Sequence, residues 1–181
     1  MNTSFLTRDE LLSLGFRSVG RDVRVSRLAS VYGAEGMTLG DHVRIDDFCI
    51  LSGRLTIGSH VHLSAYAALY GSQGIVLEDH TGVSPRTTVF SAMDDFGGDW
   101  LIGPINDTGT THVTGGEVRL CRYSQLGAHC VVFPGVTIGE GTVTGAMTLV
   151  NRSLDAWGVY VGCPARWLRD RSRGLLRFVG L

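Results

Sequence analysis

Aliphatic side chains recur at every sixth position over long stretches of the chain. Leu39, Ile45, Leu51, Ile57, Leu63 and Leu69 follow one another without a break. The beat resumes as Leu77, Val83 and Val89, and again as Leu120, Leu126, Val132 and Ile138. It passes a threonine at Thr144 and lands on Val150. A period of six fits neither an α-helix, at 3.6 residues, nor an alternating strand, at two. It fits a chain that turns a corner every six residues, so that three sides close a triangular coil and stacked coils pair only with their neighbours.

The positions around each beat agree. Glycine follows the apolar residue at Gly40, Gly58, Gly127, Gly139 and Gly145, as tight corners favour. Four residues after the beat the side chain is small or β-branched, as at Val43, Cys49, Val61, Ala67, Thr87, Ser124, Cys130 and Thr142. A narrow prism has room for nothing larger beside its aliphatic row.

The pattern of aliphatic residue, glycine, two variable positions and a small residue resembles the hexapeptide-repeat acyltransferases, in particular the sugar O- and N-acetyltransferases related to galactoside and maltose acetyltransferases. Gly162-Cys163-Pro164-Ala165-Arg166 is similar to the segment by which that family leaves its last coil. The resemblance implies an all-β fold: a left-handed parallel β-helix with an extruded loop and a C-terminal α-helix. The expected organisation is a capping helix segment over 1–18, the β-helix over 19–150 with the loop over 91–117, and an exit segment with a helix over 151–181. Thr7-Arg8-Asp9-Glu10 has the capping-box form for the first helix. The phase slips by two residues at Met37 to Leu39 and at Ile75 to Leu77, which predicts longer corners there.

Composition narrows the function. The chain has 181 residues and a formal net charge of −1, which gives no electrostatic basis for nucleic-acid binding or for attraction to an anionic membrane. No apolar run is long enough to insert in a bilayer, and a cytoplasmic location is expected. Cys49, Cys121, Cys130 and Cys163 match no zinc spacing. No metal is expected, although a column of His42, His60 and His80 keeps open a zinc carbonic anhydrase-like alternative. A non-catalytic trimeric scaffold is the other.

What the resemblance implies for chemistry is acetyl transfer from acetyl-CoA to a hydroxyl or amine of a sugar, nucleotide-linked amino sugars included, for a surface polysaccharide such as lipopolysaccharide O-antigen. The enzyme is expected to be a homotrimer. Many members carry a histidine at the loop start. Here Asp94 and Asp95 stand in that stretch, and a carboxylate is a weak base for a hydroxyl. An amine is already nucleophilic when neutral, so the departure favours an amino sugar oriented by Asp94 and Asp95. His62 is the candidate base. Asp46, Asp47, Tyr70, Arg86 and His112 are candidate acceptor contacts. Counting coils puts Ile45, Leu63, Val83, Leu126 and Thr144 in one column, with Asp46, Ser64, Ser84, Gly127 and Gly145 in the next. The small pairs Gly127-Ala128 and Gly145-Ala146 are the expected track for a pantetheine arm, and Pro164 and Arg166 are expected to meet the rest of coenzyme A.

Overall fold

The computed structural model describes residues 4–179 as a triangular parallel β-helix. One face is an eight-stranded sheet, parallel except for its last strand. Its register runs Val25, Ile45, Leu63, Val83 and Leu126; Gln125 then pairs with Val143, which sets Thr144 over Leu126. The column counted across the loop is therefore the observed one. The other two faces join into a ten-stranded sheet through the long strands Ile50–Ile57 and Ala68–Leu77.

The beat residues fill the prism. Ile45, Leu51, Leu63, Leu69, Val83, Val89, Leu120, Leu126, Val132 and Ile138 are all completely buried. Each such side chain contributes on the order of 1.5–3 kcal/mol. Cys49 and Cys130 lie among them as small inward residues. Burial pushes the Cys49 thiol up to about 11, the opposite of an activated nucleophile. Thr144 interrupts the aliphatic row, and its hydroxyl accepts from the Gly127 amide at 3.0 Å.

Two of the three corners use non-glycine residues in the left-handed region. One carries Asp22, His42, His60, His80, Tyr123 and Trp157, and the other Phe48, Tyr66, Arg86, His129 and Met147. Their amides bond to the coil before, as in His60 to Asp41 and Tyr66 to Asp47. The third corner holds every insertion. The two-residue slips fall at the 3-10 turn Ala34–Gly36 and around Gly74, and the long loop leaves one coil further on.

The ends are closed differently. Thr7 caps the helix Arg8–Ser13 with both capping-box hydrogen bonds made. Leu11 enters the core, and Arg8 donates to the Val19 and Gly20 carbonyls of the first coil. At the other end the expected C-terminal α-helix over 166–181 is not formed. Arg166–Asp170 is instead a strand, antiparallel to Gly158–Val161, followed by the 3-10 turn Gly174–Phe178. An unpaired sheet edge is available there, and pairing it satisfies more backbone than a short helix on the surface would. Residues 180–181 of the expected helix lie outside the described residues.

Candidate active site

The residues singled out in the sequence fall in three places. The first is on the eight-stranded face. Asp46 sits between Arg44, whose Nε donates to its Oδ1 at 2.7 Å, and His62, whose Nε2 lies 2.7 Å from its Oδ2. Partial burial raises the Asp46 pKa, but the hydrogen bonds from Arg44 and His62 outweigh it and hold the carboxyl below its usual range. Asp47 accepts from the Ser26 hydroxyl at 2.5 Å. Both carboxylates thus have partners inside the chain, and His62 keeps only Nδ1 open.

The second is the extruded loop. Its root is fixed by Ser91, which is fully buried. The Ser91 hydroxyl accepts from the Gln73 amide at 2.8 Å and donates to the Tyr70 carbonyl at 3.0 Å. Beside it the Tyr70 ring stacks on Phe90, with centroids 5.3 Å apart. The chain then runs out as Ala92–Asp94 and back as Val113–Gly115 in an antiparallel hairpin. Asp95 latches the hairpin. Its amide donates to the His112 carbonyl at 2.8 Å, and its carboxylate meets His112 Nδ1 at 3.1 Å. The Gly97 amide and His112 hold the Asp95 carboxyl below its usual range. Asp94 is different: it is half-buried and its carboxylate has no hydrogen-bond or ion-pair partner among the described residues. Of the two aspartates, Asp95 is used by the hairpin and Asp94 is available to a ligand.

The third is the C-terminal end. Arg152 and Arg166 line a cleft with Asn151 and Pro164, and neither arginine has an acidic partner among the described residues. The small pairs nearby have a packing reason. A Cβ on Gly127 would lie 2.6 Å from the Gly145 carbonyl carbon, so glycine is required for the coils to stack. Gly145 is confined by the Val161 side chain in the same way, at 2.9 Å. Ala128 is half-buried and Ala146 exposed. Arg86 lies over the Tyr66 ring, 4.7 Å from its centroid.

Sequence reasoning placed Ser84 in the right column but gave it no role. Ser84 follows the beat at Val83, on the corner where the eight-stranded face ends. Its hydroxyl accepts from the Gln125 carboxamide at 3.0 Å. The strand Thr88–Phe90 separates Ser84 from Asp94, so the two lie at opposite edges of one prism face. The histidine column does form: His42, His60 and His80 stack at 4.8 and 4.6 Å. Parallel rings present faces to one another rather than lone pairs to a shared ion. No group of three or more His, Cys, Asp or Glu among the described residues is arranged to hold a metal.

No family model matches the chain. It is 31% identical over 176 residues to the dTDP-4-amino-4,6-dideoxy-D-glucose acyltransferase of Escherichia coli, covering 96% of this chain and 92% of that one. Among solved structures it is similar to AntD, an N-acyltransferase from Bacillus cereus. The S84T form with dTDP and coenzyme A matches at 44% identity and a TM-score of 0.96, over 99% of this chain and 97% of that one. The complex with dTDP and 3-hydroxybutyryl-CoA matches at 46% and 0.96, over 99% and 96%. AntD has also been solved as D94A and D94N forms, and as an S84C form holding dTDP-4-amino-4,6-dideoxyglucose. The chain belongs to the sugar N-acyltransferases of the hexapeptide-repeat family, with that family's left-handed β-helix, and it is an acyltransferase.

Proposed function

We infer that this enzyme acylates the 4-amino group of a dTDP-linked 4-amino-4,6-dideoxyglucose, with a coenzyme A thioester as donor. The observation that carries the reading is Asp94: a half-buried carboxylate without a partner among the described residues, at a residue number altered in AntD, while Ser84, across the same prism face, carries the other altered number. The amine nitrogen attacks the thioester carbonyl, the C–N bond forms, the C–S bond breaks, and coenzyme A leaves as the thiol carrying the proton the amine gives up. Asp94 accepts a hydrogen bond from the amine and fixes its lone pair on the carbonyl carbon. Arg152 and Arg166, with Asn151 and Pro164, supply unpaired positive charge suited to the coenzyme A phosphates. His62 then serves the acceptor's surroundings rather than as an obligatory base, since an amine needs none to become nucleophilic.

The working form in this reading is a homotrimer. Phe96, Leu101, Ile102 and Ile105 of the loop are exposed in one protomer, Ile105 at 96%, and a closed threefold ring covers them against the neighbouring prism. It also lets the Asp94 of one protomer face the coils of the next. The site of action is the cytoplasm, and the product is a sugar for a surface polysaccharide.

The test is thiol release with acetyl-CoA and 3-hydroxybutyryl-CoA against dTDP-4-amino-4,6-dideoxyglucose, other nucleotide-linked amino sugars and hydroxyl-only sugars. Turnover with the dTDP-amino sugar is expected. Turnover confined to hydroxyl acceptors overturns the reading and returns His62 to the role of base.

A further inference from the structure

Gln125 stands in a column where side chains normally project outward. One position before the beat, that column reads Arg44, His62, Gly82, Gln125 and Val143. The Gln125 side chain instead folds back over the neighbouring coil. It does so because that coil carries glycine: a Cβ on Gly82 would lie 2.1 Å from Gln125 Oε1 and 3.0 Å from Cδ. The carboxamide occupies the space a side chain at position 82 would need. Gly82 is not in the left-handed region, so conformational freedom does not account for it.

The orientation of the carboxamide is settled by its partners. Nε2 reaches the Leu126 carbonyl at 3.1 Å and the Ser84 hydroxyl at 3.0 Å. A backbone carbonyl can only accept, so the atom facing it is the nitrogen. Both hydrogens of that nitrogen are then used, one on Leu126 and one on Ser84. Ser84 Oγ is left as an acceptor towards Gln125, and its own hydrogen must point elsewhere, away from the carboxamide.

We propose that Gln125, admitted by Gly82, is a positioning residue that sets the Ser84 hydroxyl as a hydrogen-bond donor towards the bound reactants. The inference rests on the reading above and adds to it that Ser84, at the number altered in the S84T, S84C and S84A forms of AntD, faces the reacting groups. Gln125 touches neither substrate; it decides which way the Ser84 proton points. A serine on an exposed corner otherwise rotates freely, and a donor aimed before the substrate arrives needs no reorganisation during the reaction.

The experiment measures kcat, KM and melting temperature for the full chain and four variants with dTDP-4-amino-4,6-dideoxyglucose and an acyl-CoA. Gln125→Glu replaces the donor by acceptors, so it either draws the Ser84 proton inwards or swings away from the Leu126 carbonyl. Gly82→Ala leaves Gln125 in the chain but evicts its carboxamide, at little structural cost because the displaced atoms end a flexible side chain. Both are expected to lower kcat, Gln125→Glu by about 10- to 100-fold, with KM and melting temperature nearly unchanged. In a Ser84→Ala background Gln125→Glu is expected to cost nothing further. Unchanged kcat in both single variants overturns the inference, as does a full additional loss in the Ser84→Ala background. A wild-type enzyme that turns over no nucleotide-linked amino sugar is a separate result. It overturns the functional reading first, and the inference with it.

Discussion

The prism and the hairpin it extrudes are built on opposite terms. The prism buries its beat residues completely and places each one by register against the coil above and below. The hairpin 92–115 has no buried residue among its strands and is held by a root at Ser91 and a latch at Asp95 and His112. One region buries no acidic side chain among the described residues. The other has a partnerless acid, Asp94, and little packing. In the reading proposed here chemistry sits on the part of the molecule with the least packing, and the two should come apart under mutation.

The largest separation is expected from Leu63→Ala set against Asp94→Ala. Removing a fully buried leucine from the prism should cost on the order of 2–5 kcal/mol, while the molecules that remain folded keep their turnover. Asp94→Ala should leave the melting temperature unchanged and lower kcat/KM by about 100-fold, the scale of losing the alignment of a reacting group. Urea unfolding and initial rates on the same preparations check both. A large fall in melting temperature for Asp94→Ala would mean that the hairpin is part of the folding unit after all.

Gly127→Ala sharpens the prism side. The added methyl falls against the backbone of the Gly145 coil, with no flexible atom to yield. A loss of about 1–3 kcal/mol is expected, as for overpacking elsewhere, read as a lower urea midpoint. Stability within a few tenths of a kcal/mol would show that the coils open locally, and that this glycine serves a ligand rather than the stack.

The same contrast explains what could be read without coordinates. Period six is a local signal, repeated at Leu39, Ile45, Leu51 and onwards, so the prism, its columns and the two longer corners all follow from it. Even the column across the loop was countable, because Leu120 resumes the beat that Val89 leaves. The hairpin has no period. That Asp95 is engaged with His112 while Asp94 is not depends on a pairing across 17 residues, which no spacing rule shows. Gln125 and Gly82 lie 43 positions apart; only after the register is known does a glycine in that column become a sign that a neighbour needs its space. The C-terminal segment failed differently. Trp167, Leu168, Leu175, Leu176 and Phe178 read as the apolar set of one helix over 166–181, but the open sheet edge drew Arg166–Asp170 into a strand and left only a 3-10 turn at Gly174–Phe178.

His112→Ala tests the latch with a smaller effect. The pair is half-exposed, so only a small fall in stability is expected, together with a few-fold lower kcat as the strand carrying Asp94 loosens. The Asp95 carboxyl is held below its usual range by Gly97 and His112. Its contribution is present at neutral pH and is lost as pH falls through that lowered value, so wild type and His112→Ala should converge in acid. Curves that stay parallel down to acid pH would remove Asp95 as the partner that matters.

The smallest effect is expected at the prism's covered end. Glu10 is held down to about 2 by the Arg27 guanidinium and the Thr7 amide, and its oxygens meet Arg27 at 2.7 and 2.6 Å. A carboxyl whose folded value lies below its unfolded one stabilises the fold at pH above the unfolded value, near 4.5. The stabilisation fades as pH falls and is gone below about 2. Glu10→Gln removes that dependence while keeping a group able to bond to the Thr7 amide. At pH 7 the variant should melt slightly lower than wild type, and the difference should shrink between pH 4.5 and 2. Salt should shrink it too, because the pair is exposed. A difference that persists at pH 2 would mean that Glu10 acts through the capping box alone, and that Arg27 contributes nothing by its charge.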